Sequence, residues 1–136
     1  MIYLLDTNVI MHLANEVAGA EGIERNMRAV GVAHMRLSAI AFTELRHKVM
    51  SGAGRVKAMH LERLRVIVEG MTVEPYTLAA AEYAAQLMTD LQATGKRNEW
   101  PDIMIAGHAM ASGYRLVTDD AALLSIQSVK AVNWRD

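Results

Sequence analysis

Cysteine is absent from all 136 residues, which removes disulfides, thiolate nucleophiles and cysteine-held zinc together and fits a cytoplasmic chain. Also missing is any apolar run approaching the ~20 residues that a membrane span needs. The first residues carry no basic region and lead straight into a strand pattern, so no signal peptide is expected. Proline occurs twice, at Pro75 and Pro101, and each falls at an element boundary. Excess charge is lacking too: 14 basic and 15 acidic side chains leave a net charge of −1. Such a balance provides no global field for nucleic acid, so attraction to RNA or DNA has to be local. There is no internal repeat, low-complexity tract or linker, and 52% hydrophobic residues exclude disorder. The length suits one core, and residues 1–136 are read as a single domain.

What is present begins with Ile2-Tyr3-Leu4-Leu5, a short run with no polar face, which predicts a strand buried on both sides of a parallel sheet. It stops at Asp6-Thr7-Asn8 and passes into the helical pattern of Val9 to Ala14. Further strands are expected over Met35–Ile40, Met71–Pro75, Tyr114–Thr118 and Val129–Trp134. Helical patterns occupy Ile23–Val30, Phe42–Met50, Arg55–Glu69, Leu78–Thr94, Asp102–Ser112 and a short piece through Ile126. Gly95 and Gly113 stop two of these helices, and Pro101 suits the first turn of another, where its missing N–H is not needed. The alternation implies an α/β fold with a mainly parallel sheet of about five strands.

Four acidic positions stand out on that frame. Asp6 follows the first strand, Glu44 lies in the first turns after the second, Asp102 follows Pro101, and Asp120, beside Asp119, follows the strand ending at Thr118. Singly, each suits helix capping or a first helical turn. Together, a parallel sheet delivers at least three of them to one carboxyl edge, where ligands bind in open α/β folds. Their repulsion there calls for a cation. Oxygen ligands, with no cysteine and no paired-histidine motif, favour Mg²⁺ or Mn²⁺ over zinc. Such an ion can activate water and neutralise charge on a phosphodiester. Other α/β plans fit less well. A haloacid-dehalogenase-type phosphatase needs Asp at position 8, where Asn stands. A receiver domain needs its acceptor Asp on a middle strand. A dinucleotide binder needs a glycine-rich first turn.

Leu5-Asp6-Thr7-Asn8-Val9-Ile10, and Leu37-Ser38-Ala39-Ile40 with Thr43-Glu44-Leu45-Arg46, resemble the first two motifs of PIN-domain ribonucleases. Asp102-Ile103-Met104-Ile105-Ala106-Gly107-His108-Ala109 and Leu116-Val117-Thr118-Asp119-Asp120 resemble the remaining two, and Val132-Asn133-Trp134 the closing stretch. The nearest likeness is to the VapC/FitB-type toxins of bacterial toxin–antitoxin pairs. The resemblance implies a PIN-like three-layer fold and an Mg²⁺-dependent endoribonuclease, with Mn²⁺ as the substitute ion. Asp6, Glu44, Asp102 and Asp120 form its catalytic metal site, and Thr7, Asn8 and Thr118 shape that site by hydrogen bonding. It selects Asp120 over Asp119, which the residues alone leave tied. It further implies RNA as substrate, an antitoxin partner, a homodimer, and contact with DNA only through the antitoxin. Two positions depart from the pattern: Ala121-Ala122-Leu123-Leu124 lacks the usual aromatic, and Trp100 stands where aliphatics are common.

The alternatives are an RNA-processing PIN nuclease without an antitoxin and a non-catalytic toxin-like module acting with a DNA-binding antitoxin. Arg46, Lys48, Arg55, Lys57, Arg63 and Arg65 concentrate six of the 14 basic residues, either as a solvated helical face or as a phosphate-tracking patch. The five histidines show no ligand spacing and are read as surface or satisfied interior, the ten methionines as core filler with an adaptable partner interface as the other reading, and Trp100 as a loop anchor with stacking on an RNA base as the lesser reading.

Overall fold

The computed structural model describes residues 1–52, 58–96 and 98–136. Five strands, β1 (Tyr3–Leu5), β2 (Met35–Ser38), β3 (Thr72–Glu74), β4 (Arg115–Val117) and β5 (Ala131–Val132), form one sheet in the order β3-β2-β1-β4-β5. All four pairings are parallel. The described helices are α1 (Thr7–Ala14), α2 (Ala20–Val30), α3 (Ala39–Ser51), α4 (Ala58–Gly70), α5 (Leu78–Ala93), α6 (Trp100–Ser112) and α7 (Ala121–Leu124). Helices α1 to α4 pack among themselves and α5 lies along α6. By the right-handed rule for parallel crossovers, this strand order places the two groups on opposite faces of the sheet, in three layers.

β1 is the switch point of the sheet. The chain first steps outward from it through β2 to β3, then returns across it to β4 and β5. The crevice beyond the carboxyl ends of β1 and β4 is therefore where this topology leaves room for a ligand. Register decides what faces it. Leu5 lies opposite Val117 and Leu4 opposite Leu116, so Asp6 leaves β1 level with Thr118. The apolar run before Asp6 is fixed by burial: Leu4, Leu5, Leu37, Leu116 and Val117 are all 0% exposed.

Several boundaries differ from the sequence expectation. The second strand ends at Ser38 because its hydroxyl accepts from the Ile40 N–H (3.2 Å) and starts α3 three residues before Phe42. Helix α2 begins at Ala20 rather than Ile23. Gly19, at φ 87°, and Gly22 lie against the C-terminal residues, where a Cβ on Gly22 would sit 2.4 Å from the Asp136 carboxylate. β5 is two residues long because it pairs at the sheet edge only with Leu116 and Val117; Val129 and Trp134 beside it are held by burial. The start of the helical pattern at Arg55 lies outside the described residues.

Gly107 permits the close approach of α5 to α6: a Cβ there would stand 2.7 Å from both the Ala80 carbonyl oxygen and the Ala84 nitrogen. Gly107→Val is accordingly expected to destabilise by about 1–3 kcal/mol through overpacking. The measurement is the urea midpoint at unchanged m value. An unaltered midpoint would show that the two helices separate without cost.

Candidate active site

Asp6 is the buried centre of the carboxyl edge, 1% exposed. Its Oδ1 accepts from the Thr7 N–H (2.8 Å), capping α1, and its Oδ2 accepts from Thr118 Oγ1 (2.9 Å) across the β1–β4 crevice. The same Thr118 hydroxyl accepts from the Asp120 N–H (3.1 Å), so one side chain fixes two acidic positions. Glu44, in the second turn of α3, accepts from Thr7 Oγ1 (2.7 Å). Asp120 caps α7 by accepting from the Leu123 N–H (3.1 Å) through Oδ1, while its Oδ2 accepts from Asn98 Nδ2 (3.1 Å). Capping and a place in the acidic edge are thus held by the same residue. Asp102 lies in the first turn of α6, partly buried, and its carboxylate takes no hydrogen bond among the described residues.

The electrostatics follow from that crowding. Asp6 is pushed up to about 7, first by burial and then by Asp102, with a smaller contribution from Asp120. The hydrogen bonds from Thr118 and Thr7 only partly offset this. Asp102 is raised to about 6 by burial, then by Asp120, Glu44 and Glu99. Asp102 and Asp120 thus act on Asp6, and Asp120 and Glu44 on Asp102. Coulomb repulsion acts over several ångströms, whereas inner-sphere ligation needs oxygens about 2.0–2.6 Å from one ion. Among the described residues no three His, Asp or Glu side chains are gathered closely enough to hold an ion directly. The donor set is all oxygen and mutually repelling, and the edge is open on the Asp102 side. Those features fit a hydrated divalent cation that touches one or two carboxylates and reaches the others through water.

Asp119 behaves differently from its neighbour. Its Oδ2 is bound by His12 Nε2 (2.9 Å) and accepts from Arg135 Nη1 (3.2 Å), which turns it away from Asp6 and Asp102 toward the C-terminal segment. Asn8 is exposed and makes no side-chain hydrogen bond among the described residues, unlike Thr7 and Thr118. Of the basic run, Arg63 pairs with Glu16, and Arg65 with Glu62 and Glu69, as on a solvated helical face; Arg55 and Lys57 lie outside the described residues. His108 is buried with Nδ1 unpartnered, so it is not a satisfied interior histidine, and burial lowers its pKa. Trp100 is no anchor: it is the first residue of α6 and 69% exposed.

Asn98 was not among the sequence candidates. A carboxylate only accepts, so the Asn98 amide must turn Nδ2 to Asp120. The one available signal was its position four residues ahead of Asp102. A cavity of about 670 Å³ opens beside the acidic edge, lined by Asn98, Trp100, Asp102 and Asp120 on one side and by Met88, Leu91 and Ile103 on another.

The carboxyl edge is thus an acid-lined crevice at the switch point of a parallel sheet. The chain belongs to the PIN domain family, whose pattern its residues 3–128 match. Ribonuclease VapC2 of Rickettsia felis is 25% identical over 121 residues, covering 88% of this chain and 87% of that protein. The fold is shared with the DNA-bound VapBC2 complex of Rickettsia felis (TM-score 0.81, 24% identity, 98% and 99% of the two chains). It is shared also with FitAcB of Neisseria gonorrhoeae (TM-score 0.75, 22% identity, 98% and 97%).

Proposed function

We propose that this chain, as a single PIN domain over residues 1–136, is a Mg²⁺- or Mn²⁺-dependent endoribonuclease and the toxin of a VapBC-type pair. Asp6, Glu44, Asp102 and Asp120 are its metal-holding and catalytic carboxylates. The observation that carries the reading is the buried Asp6 carboxyl at the sheet's switch point, with Asp102 and Asp120 near enough to push it up. A structure keeps repelling carboxylates together where function needs them. The likeness to Ribonuclease VapC2 of Rickettsia felis supports RNA as the substrate, and the likeness to VapBC-5 of Mycobacterium tuberculosis, from a family of toxin–antitoxin systems, supports an antitoxin partner.

A bound divalent ion would lower the pKa of its water and neutralise charge developing on the phosphodiester. The chain's own residues do the rest. Thr7 and Thr118 lock Asp6 and orient Glu44, while the α7 N-terminus and Asn98 hold Asp120. Asp102 alone among the four is not tied by a hydrogen bond among the described residues. Its carboxylate is therefore the one left open to take a proton from attacking water.

The deciding experiment incubates the protein with cellular RNA, with and without chelator, and sequences the new 5′ ends. Chelator-sensitive cleavage at defined sites is expected; intact RNA at millimolar Mg²⁺ would reject the nuclease. The same reading carries a cytoplasmic location and a homodimer, with DNA reached only through the antitoxin. Among the described residues no helix is long and apolar enough to cross a membrane. Exposed Met59 on α4 and Leu78 on α5, at 65% and 78%, are the proposed partner-contact positions. A dimer by light scattering at micromolar protein is the expected result.

A further inference from the structure

We infer that the cavity between α5 and the start of α6 is a nucleotide subsite, in which Trp100 stacks on an RNA base next to the bond that is cut. This deepens the ribonuclease reading and rests on it. Three observations converge on the same space. First, the cavity, about 670 Å³, is of ligand size and has Asp102 and Asp120 in its wall, so an occupant would lie against the proposed reaction centre. Second, the Trp100 indole lines it while remaining 69% exposed. An aromatic side chain of that size placed at a polar rim has a flat, unpartnered face to offer, and every base has a π-face to meet it. Third, Asn98 lines the same cavity, and its Oδ1, closed to solvent as the side chain now sits, has no hydrogen-bond partner among the described residues while Nδ2 is committed to Asp120. An unpaired buried acceptor is costly, and a ligand N–H removes that cost.

The pieces match the parts of one nucleotide. The base stacks on Trp100 with Met88 and Leu91 as the apolar floor. A base N–H donates to Asn98 Oδ1 once a rotation of that side chain opens the atom to the cavity. Lys96, whose Nζ donates to Ser125 Oγ at 3.1 Å on the rim, adds a cation for phosphate in a wall otherwise acidic. All four bases carry an N–H on their pairing edge, so the Asn98 acceptor fixes orientation, and stacking strength sets any preference.

Tryptophan emission tests this directly, because the second tryptophan, Trp134, is only 6% exposed. Nucleoside 5′-monophosphates, which contain no bond to cleave, are titrated into the Mg²⁺-loaded protein beside ribose 5-phosphate as the base-free control. Saturable quenching by the nucleotides, absent with ribose 5-phosphate and absent in Trp100→Phe, is expected. In cleavage assays Trp100→Ala should raise KM on the order of tenfold with kcat changed less than about threefold. Trp100→Phe, which keeps a flat ring, should recover most of that loss. Equal quenching by ribose 5-phosphate, or an unchanged KM in Trp100→Ala, overturns the subsite while leaving the nuclease intact. A Trp100→Ala protein that keeps its RNA KM but loses antitoxin binding assigns the indole to the protein partner and overturns it as well. Nucleotide-specific quenching in a protein that cleaves no RNA upholds the subsite and rejects the ribonuclease reading instead.

Discussion

Asp120→Asn is expected to lower RNA cleavage by at least about two orders of magnitude, roughly 2.7 kcal/mol of barrier, with little loss of fold. Asparagine is as good an N-cap as aspartate, so the bond to the Leu123 N–H and the start of α7 survive the change. What disappears is the charge that Asp6 and Asp102 both feel. Asp119→Asn removes a charge of the same size one residue away and is expected to cost less than about tenfold, or 1.4 kcal/mol. Its carboxylate faces His12 and Arg135, at 2.9 and 3.2 Å, and its loss loosens the C-terminal segment rather than the reaction centre. A partly exposed ion pair of that kind contributes ~1 kcal/mol or less to stability. Initial rates of both variants at saturating Mg²⁺, with melting curves as the fold control, decide the matter. An inactive Asp119→Asn beside an active Asp120→Asn would exchange the two roles.

Asp6 and Asp120 stood out because each closely follows a buried apolar strand run, and in a parallel sheet such runs end at one edge, whereas Glu44 and Asp102 stood out only by their places near helix starts. Leu4-Leu5 before Asp6 and Leu116-Val117 before Thr118 carry that signal in composition alone, and the structure buries all four completely. Motif resemblance then chose Asp120, whereas extended-chain alternation could only say that Asp119 and Asp120 differ. The end of β2 was misplaced because Ala39 and Ile40 are apolar in either reading. The Ser38 cap, a local hydroxyl-to-amide bond, ends the strand where hydrophobicity does not. What could not be read are contacts between distant segments. His12, Asp119 and Arg135 meet only after β1, β4 and the C-terminus are assembled. Asn98 gains its role from a carboxylate 22 residues away. Trp100 looked like an anchor because large aromatics are usually buried, and it is exposed because α6 begins with it at the rim of a cavity.

Without metal, the protein should become more stable as pH falls from 8 toward 5, the reverse of the usual carboxylate behaviour. Asp6 rises from 3.8 to about 7 and Asp102 from 3.8 to about 6, so the folded state holds these protons more tightly than the unfolded chain does. Above pH ~4 the unfolded carboxylates are already ionised, and each further ionisation between about 5 and 8 penalises only the folded state. His108 works in the opposite sense. Its lowered pKa makes the folded state resist protonation, so its contribution is lost as pH falls below about 6.5. Comparison with Asp102→Asn cancels that histidine, since both proteins contain it. In chelator, Asp102→Asn should melt a few °C above the parent at pH 8, the shift that about 1 kcal/mol gives in a domain of this size. The gap should close by pH 5, where Asp102 is largely protonated in the folded parent. Added Mg²⁺ at ~100 times its dissociation constant should stabilise the parent by about 2.7 kcal/mol at pH 8 and the variant by less. Calorimetric scans of both proteins across this range carry the test. Parent and variant melting together at pH 8, with neither responding to millimolar Mg²⁺ or Mn²⁺, would mean that the carboxylates share no cation. The repulsion at the switch point would then have no compensating ion.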